Sequence, residues 1–216
     1  MSRLSRLQED VLHAFFRRTR SFFLTGGAAL AAFHLGHRAT DALDLFTSSA
    51  DLDEGASALR SVAEELGASI QALRTSPDFR RFLLSVGAES VVVDLVRDRA
   101  PQIHLEKLDR DGVLVDPPEE ILANKLCTLL SRGEVRDLVD VLFLERAGFR
   151  AEDAMGPASS KDGGLTPAQL AWVLSQITVG PDARIPAGIT PDELRTFLEE
   201  LVSRLTLLAW PAAPAP

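Results

Sequence analysis

Two carboxylates stand where carboxylates are expensive. Asp94 lies inside the run VVVDLV, and Asp44 lies near the start of the apolar run Leu43 to Thr47. An acid amid β-branched residues must find a cation, a metal ion or a sheet edge, because burial without a partner costs several kcal/mol or forces protonation. If the two strands are neighbours, both carboxylates can point to one place. Two or three converging carboxylates are what Mg²⁺ needs to hold a nucleoside triphosphate. Gly26-Gly27, between a β-prone run and an Ala/Leu-rich helical run, would let a backbone approach a phosphate; a tight turn would use the same glycines. Lys125 falls beside the apolar stripe Leu122, Leu126, Leu129, Leu130 of ILANKLCTLLSR, with Arg132 further along. In VRDLVDVLFL, Val135, Leu138, Val139 and Leu142 form the apolar side and leave Arg136, Asp137 and Asp140 on a polar face, where Arg136 and Asp140 would pair at i,i+4. His34 and His37, at i,i+3, lack a third ligand of obvious spacing. Cys127 reads as a small core residue.

The elements that must position these groups follow from periodicity. Leu4, Leu7, Val11, Leu12, Phe15 and Phe16 predict a helix over 4–20. A short strand at 21–24 leads through Gly26-Gly27 to a helix over 28–36. A strand at 43–47 and a helix over 53–66 stopped by Gly67 follow. Strands at 68–74, 79–86 and 90–96 are separated by the turns Ser76-Pro77-Asp78 and Gly87-Ala88-Glu89, which predicts a meander of hairpins. Residues 113–115 are one more short strand. From Asp116-Pro117-Pro118-Glu119 onward the pattern is helical, over 119–131 and 133–147. Residues 154–164 read as a loop by composition. Helices follow from Thr166-Pro167 to about 177 and from Thr190-Pro191 to about 208. The organisation is α+β: a mixed sheet with helices over 1–116, a helical region over 117–210, and a disordered Pro/Ala tail at 211–216.

The composition sets bounds on partners. The 216 residues carry a net charge of −8, yet residues 1–20 carry +3 and leave −11 for the rest. An acidic surface disfavours tight polyanion binding except at a local basic arm, and Arg17, Arg18, Arg20, Arg80 and Arg81 are the candidates for contact with RNA. One cysteine excludes a disulfide framework and a thiolate zinc cluster and fits a reducing cytoplasm. The start MSRLSRLQED lacks an apolar leader, and no apolar run approaches the length of a membrane span.

FFLTGGAALAAFHLGHRATDALDLF resembles the opening of the nucleotidyltransferase-fold toxins of the abortive-infection type, the AbiEii/AbiGii family. ANKLCTLLSRGEVRDLVDV resembles that family's Lys-containing helix followed by Arg-Asp-x-x-Asp. The resemblance implies a minimal nucleotidyltransferase sheet with a helical C-terminal part. It also implies a metal-dependent enzyme, using Mg²⁺ or Mn²⁺, that transfers NMP from an NTP to RNA (tRNA in particular) or to protein, and a cognate antitoxin as partner. By the same resemblance, Gly26 and Gly27 would hold the triphosphate, and Arg38 and Thr40 match the stretch before the acids. Asp44 would be the second acid of an Asp-x-Asp pair. Asp94 would be the third carboxylate, a second metal ligand and the base for the acceptor. Lys125 would contact phosphate, and Asp137 with Arg136 and Asp140 match the last motif.

One position departs from the pattern. Ala42 stands where the family has its first acid, and Asp41 cannot replace it, because side chains on a strand alternate between faces. Such a site should turn over slowly or not at all. Ala42 is then either a natural loss, as in a pseudoenzyme, or an Asp→Ala substitution that silences a toxic protein. The retention of Gly26, Gly27, Asp44, Lys125 and Asp137 favours the second. Two other functions remain open: a non-catalytic nucleotide- or partner-binding module, and a transferase acting on a small cationic molecule.

Overall fold

The computed structural model describes residues 3–48 and 51–210; the predicted tail at 211–216 lies outside them. The chain divides into two compact units, Met1–Arg99 with His104–Pro117, and Ala100–Ile103 with Pro118–Pro216.

The first unit is built on a seven-stranded mixed sheet. Its strands are β1 Phe23–Thr25, β2 Ala42–Thr47, β3 Ser69–Ser76, β4 Phe79–Val86, β5 Glu89–Arg97, β6 Leu108–Arg110 and β7 Val113–Val115, in the order β3-β4-β5-β2-β1-β7-β6. β2 pairs parallel with β5, and β1 parallel with β7; the remaining neighbours are antiparallel. The predicted meander is the β3-β4-β5 run. β6 is an addition to the predicted strands. It is three residues long, with only Leu108 half-buried, and leaves no alternation to read.

The alternation along β2 decides which face does what. Leu43, Leu45 and Thr47 are buried, while Ala42, Asp44 and Phe46 are half-buried. The buried face, with Val91, Val93 and Leu95 of β5, packs against α1 Arg6–Phe16 and α3 Leu52–Leu66. Gly55 lets α3 sit down closely there, since a methyl group at that position would lie 2.6 Å from the Phe22 ring. α3 ends at Gly67 in the left-handed region, φ +62°, as predicted.

α1 is shorter than the predicted 4–20. Ser5 and Gln8 form a reciprocal capping box that starts it, and the chain leaves the helix at Arg17. α2 Gly26–Ala29 starts two residues earlier than predicted and runs into a single π turn, Leu30–His34, closed by the Leu35 amide donating to the Leu30 carbonyl at 2.7 Å.

The second unit contains α4 Pro118–Arg132, α5 Val135–Arg146, α6 Ala151–Lys161, α7 Pro167–Ser175 and α8 Pro191–Ala209. Thr166 and Thr190 cap the last two by accepting from the Gln169 and Glu193 amides. α6 corrects the loop predicted over 154–164. Its Gly, Pro and Ser content reads as a connector, but Ala151, Ala154, Met155 and Ala158 recur at helical spacing and pack against α4. That burial holds the helix despite Pro157 in its interior. No helix among the described residues is long and apolar enough to cross a membrane.

Candidate functional site

The face of the sheet opposite α1 and α3 carries one polar row. Arg74 of β3, Arg81 of β4, Asp94 of β5, Asp44 of β2 and Thr25 of β1 are successive register partners across five strands. Directly paired residues project from the same face. The parallel pairing of β2 with β5 therefore sets Asp44 and Asp94 side by side, as expected if their strands were neighbours. Ala42 shares this face, two residues from Asp44, and pairs with Val92. Asp41 precedes the strand and is exposed.

The glycine turn closes one end of the row. Gly26 has φ +63°, and a methyl group there would lie 2.8 Å from Oδ2 of Asp44. At Gly27 a methyl group would lie 2.5 Å from Nη2 of Arg38. The two glycines thus admit a carboxylate and a guanidinium against the backbone, a use that their position between strand and helix left open. Arg38 is buried, and its Nη1 donates to the Ala39 carbonyl at 3.0 Å. Its loop is tied down by Gln8 of α1, whose Nε2 donates to the Thr40 carbonyl at 2.8 Å, by Arg3 ahead of the helix, whose Nε donates to the Gly36 carbonyl at 3.0 Å, and by Thr40 Oγ1, which donates to the Ala42 carbonyl at 3.2 Å. Thr25 Oγ1 is buried and without a hydrogen-bond partner.

Asp94 has its cation. Arg81 donates from Nε to Oδ1 at 2.8 Å and from Nη2 to Oδ2 at 2.7 Å, a bidentate fork. These bonds, and then the charges of Asp94 and of Asp44, hold the guanidinium above its usual pKa against the opposing effect of burial. Arg81 was legible only as a hairpin arginine. The two-residue turn at Gly87-Ala88 pairs Val86 with Glu89, and counting outward from it pairs 81 with 94.

Nucleotidyltransferases of this kind generally use divalent metals. The side chains on this face do not make such a site. Among the described residues no three His, Cys, Asp or Glu side chains could hold an ion together. Each oxygen of Asp94 accepts from Arg81, and residue 42 offers a methyl group in place of a donor.

Arg17, Arg18 and Arg20 of the basic arm, and Arg80, are ion-paired within the first unit. Arg17 pairs with Glu65 at 2.6 Å, Arg18 with the other oxygen of Glu65, Arg20 with Asp109 at 2.6 Å, and Arg80 with Asp53. His34 Nε2 meets the Asp116 carbonyl at 2.8 Å.

The second unit holds its own charge cluster. Lys125 Nζ on α4 lies 2.7 Å from Oδ1 of Asp137 and 2.7 Å from Oδ2 of Asp140, both on α5. Arg132 Nε donates to the other oxygen of Asp137 at 2.9 Å. Asp137 and Asp140 are buried, which corrects the reading of a solvated polar face. Asp140 reaches Lys125, while Arg136 is exposed. Burial works to lower the Lys125 pKa, but the charges of Asp140 and Asp137 and their hydrogen bonds outweigh it and raise the value. Cys127 is half-buried, with Sγ 3.5 Å from the Ala158 carbonyl.

The chain matches the profile of the nucleotidyl transferase AbiEii toxins of type IV toxin–antitoxin systems over residues 12–213. No curated protein gives a significant match. Among solved structures, JHP933 from Helicobacter pylori superposes with a TM-score of 0.61 at 17% identity, covering 93% of this chain and 89% of that one. The nucleotidyltransferase toxin MenT4 from Mycobacterium tuberculosis superposes with a TM-score of 0.50 at 14% identity, covering 93% and 82%. At these identities the likeness shows the fold. With the profile spanning most of its length, the chain belongs to the AbiEii nucleotidyltransferase toxin family.

Proposed function

We propose that the polar row on the open face of the sheet is a nucleotide site that transfers NMP from an NTP to an acceptor hydroxyl on RNA, tRNA being one such acceptor, or on protein. The observation that carries this reading is the lodging of the Asp44 carboxylate against Gly26, with Asp94 beside it in register. The phosphate chain lies along the Gly26-Gly27 turn, where Arg38 brings a positive charge and Thr25 a hydroxyl. The acceptor oxygen attacks the α-phosphorus, its proton passes to a carboxylate of the row, and the bond to the bridging oxygen of the β-phosphate breaks to release pyrophosphate. We assign the proton to Asp44, whose carboxylate lies against the Gly26 turn along which the phosphate chain runs.

Ala42 removes an electrostatic contribution that a carboxylate would make, so transfer by this chain is slow. A second reading is favoured by the same methyl group and by the Arg81–Asp94 fork: a non-catalytic module that binds a nucleotide or a partner. In the toxin reading, a cognate antitoxin is the protein partner.

Incubation with each α-phosphate-labelled NTP, total RNA and cell protein separates the two. Label in a macromolecule, with pyrophosphate released and lost in Asp44→Asn, supports transfer. Nucleotide binding without label in either fraction supports the module.

A further inference from the structure

A guanidinium and a divalent ion can each supply the positive charge opposite a carboxylate, and a guanidinium already forked on one lowers its need for the ion. The Arg81–Asp94 fork is built into the sheet. The two residues are register partners, the Asp94 side chain is 6% exposed, and the Phe79 ring lies 5.5 Å from the Arg81 guanidinium. Arg74, the next register partner, also lies over the same ring at 5.5 Å. Of the five N–H groups on Arg81, the fork uses two; the side chain remains 45% exposed, on the face that carries Asp44.

Charge balance leads to the same place. A row with acids at 42, 44 and 94 would carry three negative charges and call for a doubly charged ion. This row carries two, and Arg81 already neutralises one of them. Thr25 Oγ1, buried without a partner and in register with Asp44, is a polar group that a bound oxyanion would satisfy.

We propose that Arg81 is the resident cation of this site, standing opposite Asp94 where a divalent ion would stand and binding phosphate oxygens directly, so that a nucleoside triphosphate is held without added metal. The inference rests on the nucleotide-site reading above.

Isothermal titration of the full chain with each NTP and with inorganic tripolyphosphate, once in EDTA and once in Mn²⁺, tests it. Direct Mn²⁺ binding is followed in parallel by electron paramagnetic resonance. The expected result is a nucleotide or tripolyphosphate affinity in EDTA within about threefold of that in Mn²⁺, and a loss of about tenfold or more in Arg81→Met, as for removal of a charge-assisted bond. Arg81→Lys, which keeps the charge and loses the fork, should fall between the two. Mn²⁺ should bind the parent chain weakly and Arg81→Met more tightly, because Asp94 is released. Binding of nucleotide only with Mn²⁺, or a folded Arg81→Met that binds in EDTA like the parent, overturns the inference and leaves the nucleotidyltransferase reading in place. No nucleotide binding in either condition overturns both.

Discussion

Gly26 and Asp44 touch across the strand-to-helix turn: the carboxylate Oδ2 of Asp44 occupies the space that a methyl group on Gly26 would need, 2.8 Å away. Gly26 is also left-handed, at φ +63°. Gly26→Ala therefore combines backbone strain of about 1–2 kcal/mol with displacement of the acid. Thermal unfolding should show the loss of stability, and nucleotide titration a weaker affinity. Gly27→Ala meets instead the guanidinium end of the buried Arg38 side chain and carries no left-handed strain. It should cost less stability than Gly26→Ala and act mainly on nucleotide affinity. Equal melting losses in the two variants would refute this distinction.

Lys125 is the cation for two buried acids. Lys125→Ala leaves Asp137 and Asp140 buried and short of a charge, which typically costs about 3–5 kcal/mol. The family resemblance implied a phosphate contact for the same residue. Urea denaturation checks the stability cost; a loss below about 1 kcal/mol would place the pair among solvated ion pairs.

The pH dependence of that cluster has a definite sign. The folded pKa of Lys125 is raised above its ordinary value of about 10.4. Its contribution is therefore complete below that value and is lost as pH rises through the folded pKa. The stability difference between the parent and Lys125→Met should be flat from about pH 6 to 9 and shrink only above about pH 10. A difference that falls between pH 6 and 9 would contradict the raised pKa.

Much of the site could be read from the chain, and the failures have physical causes. Alternation in Ala42-Leu43-Asp44 correctly separated the open face from the buried one, because the period of a strand is a local property. Asp94 needed a cation, and the hairpin count that yields Arg81 was available from Gly87-Ala88. Burial of Asp137 and Asp140 was not legible. On an isolated helix, acids at i,i+3 look solvated, and only the arrival of Lys125 from α4 turns them inward. α6 was hidden for the opposite reason: poor helix formers such as Gly156 and Pro157 masked a small-residue stripe whose value appears only against α4.

Ala42→Asp places a third carboxylate on the face of Asp44. Without metal the added repulsion should lower the melting temperature, and Mn²⁺ should raise it more than it does for the parent. An unchanged melting curve with and without Mn²⁺ would mean that residue 42 does not face the acids.

Nucleotidyl transfer on this face is tested by label transfer from each α-phosphate-labelled NTP into total RNA and protein, comparing the parent with Ala42→Asp in Mn²⁺. Label should enter one acceptor class with stoichiometric pyrophosphate, raised by about a hundredfold or more in Ala42→Asp, the scale of a lost electrostatic contact in a transition state. Folded Ala42→Asp that releases no pyrophosphate and labels neither RNA nor protein with any of the NTPs would contradict it.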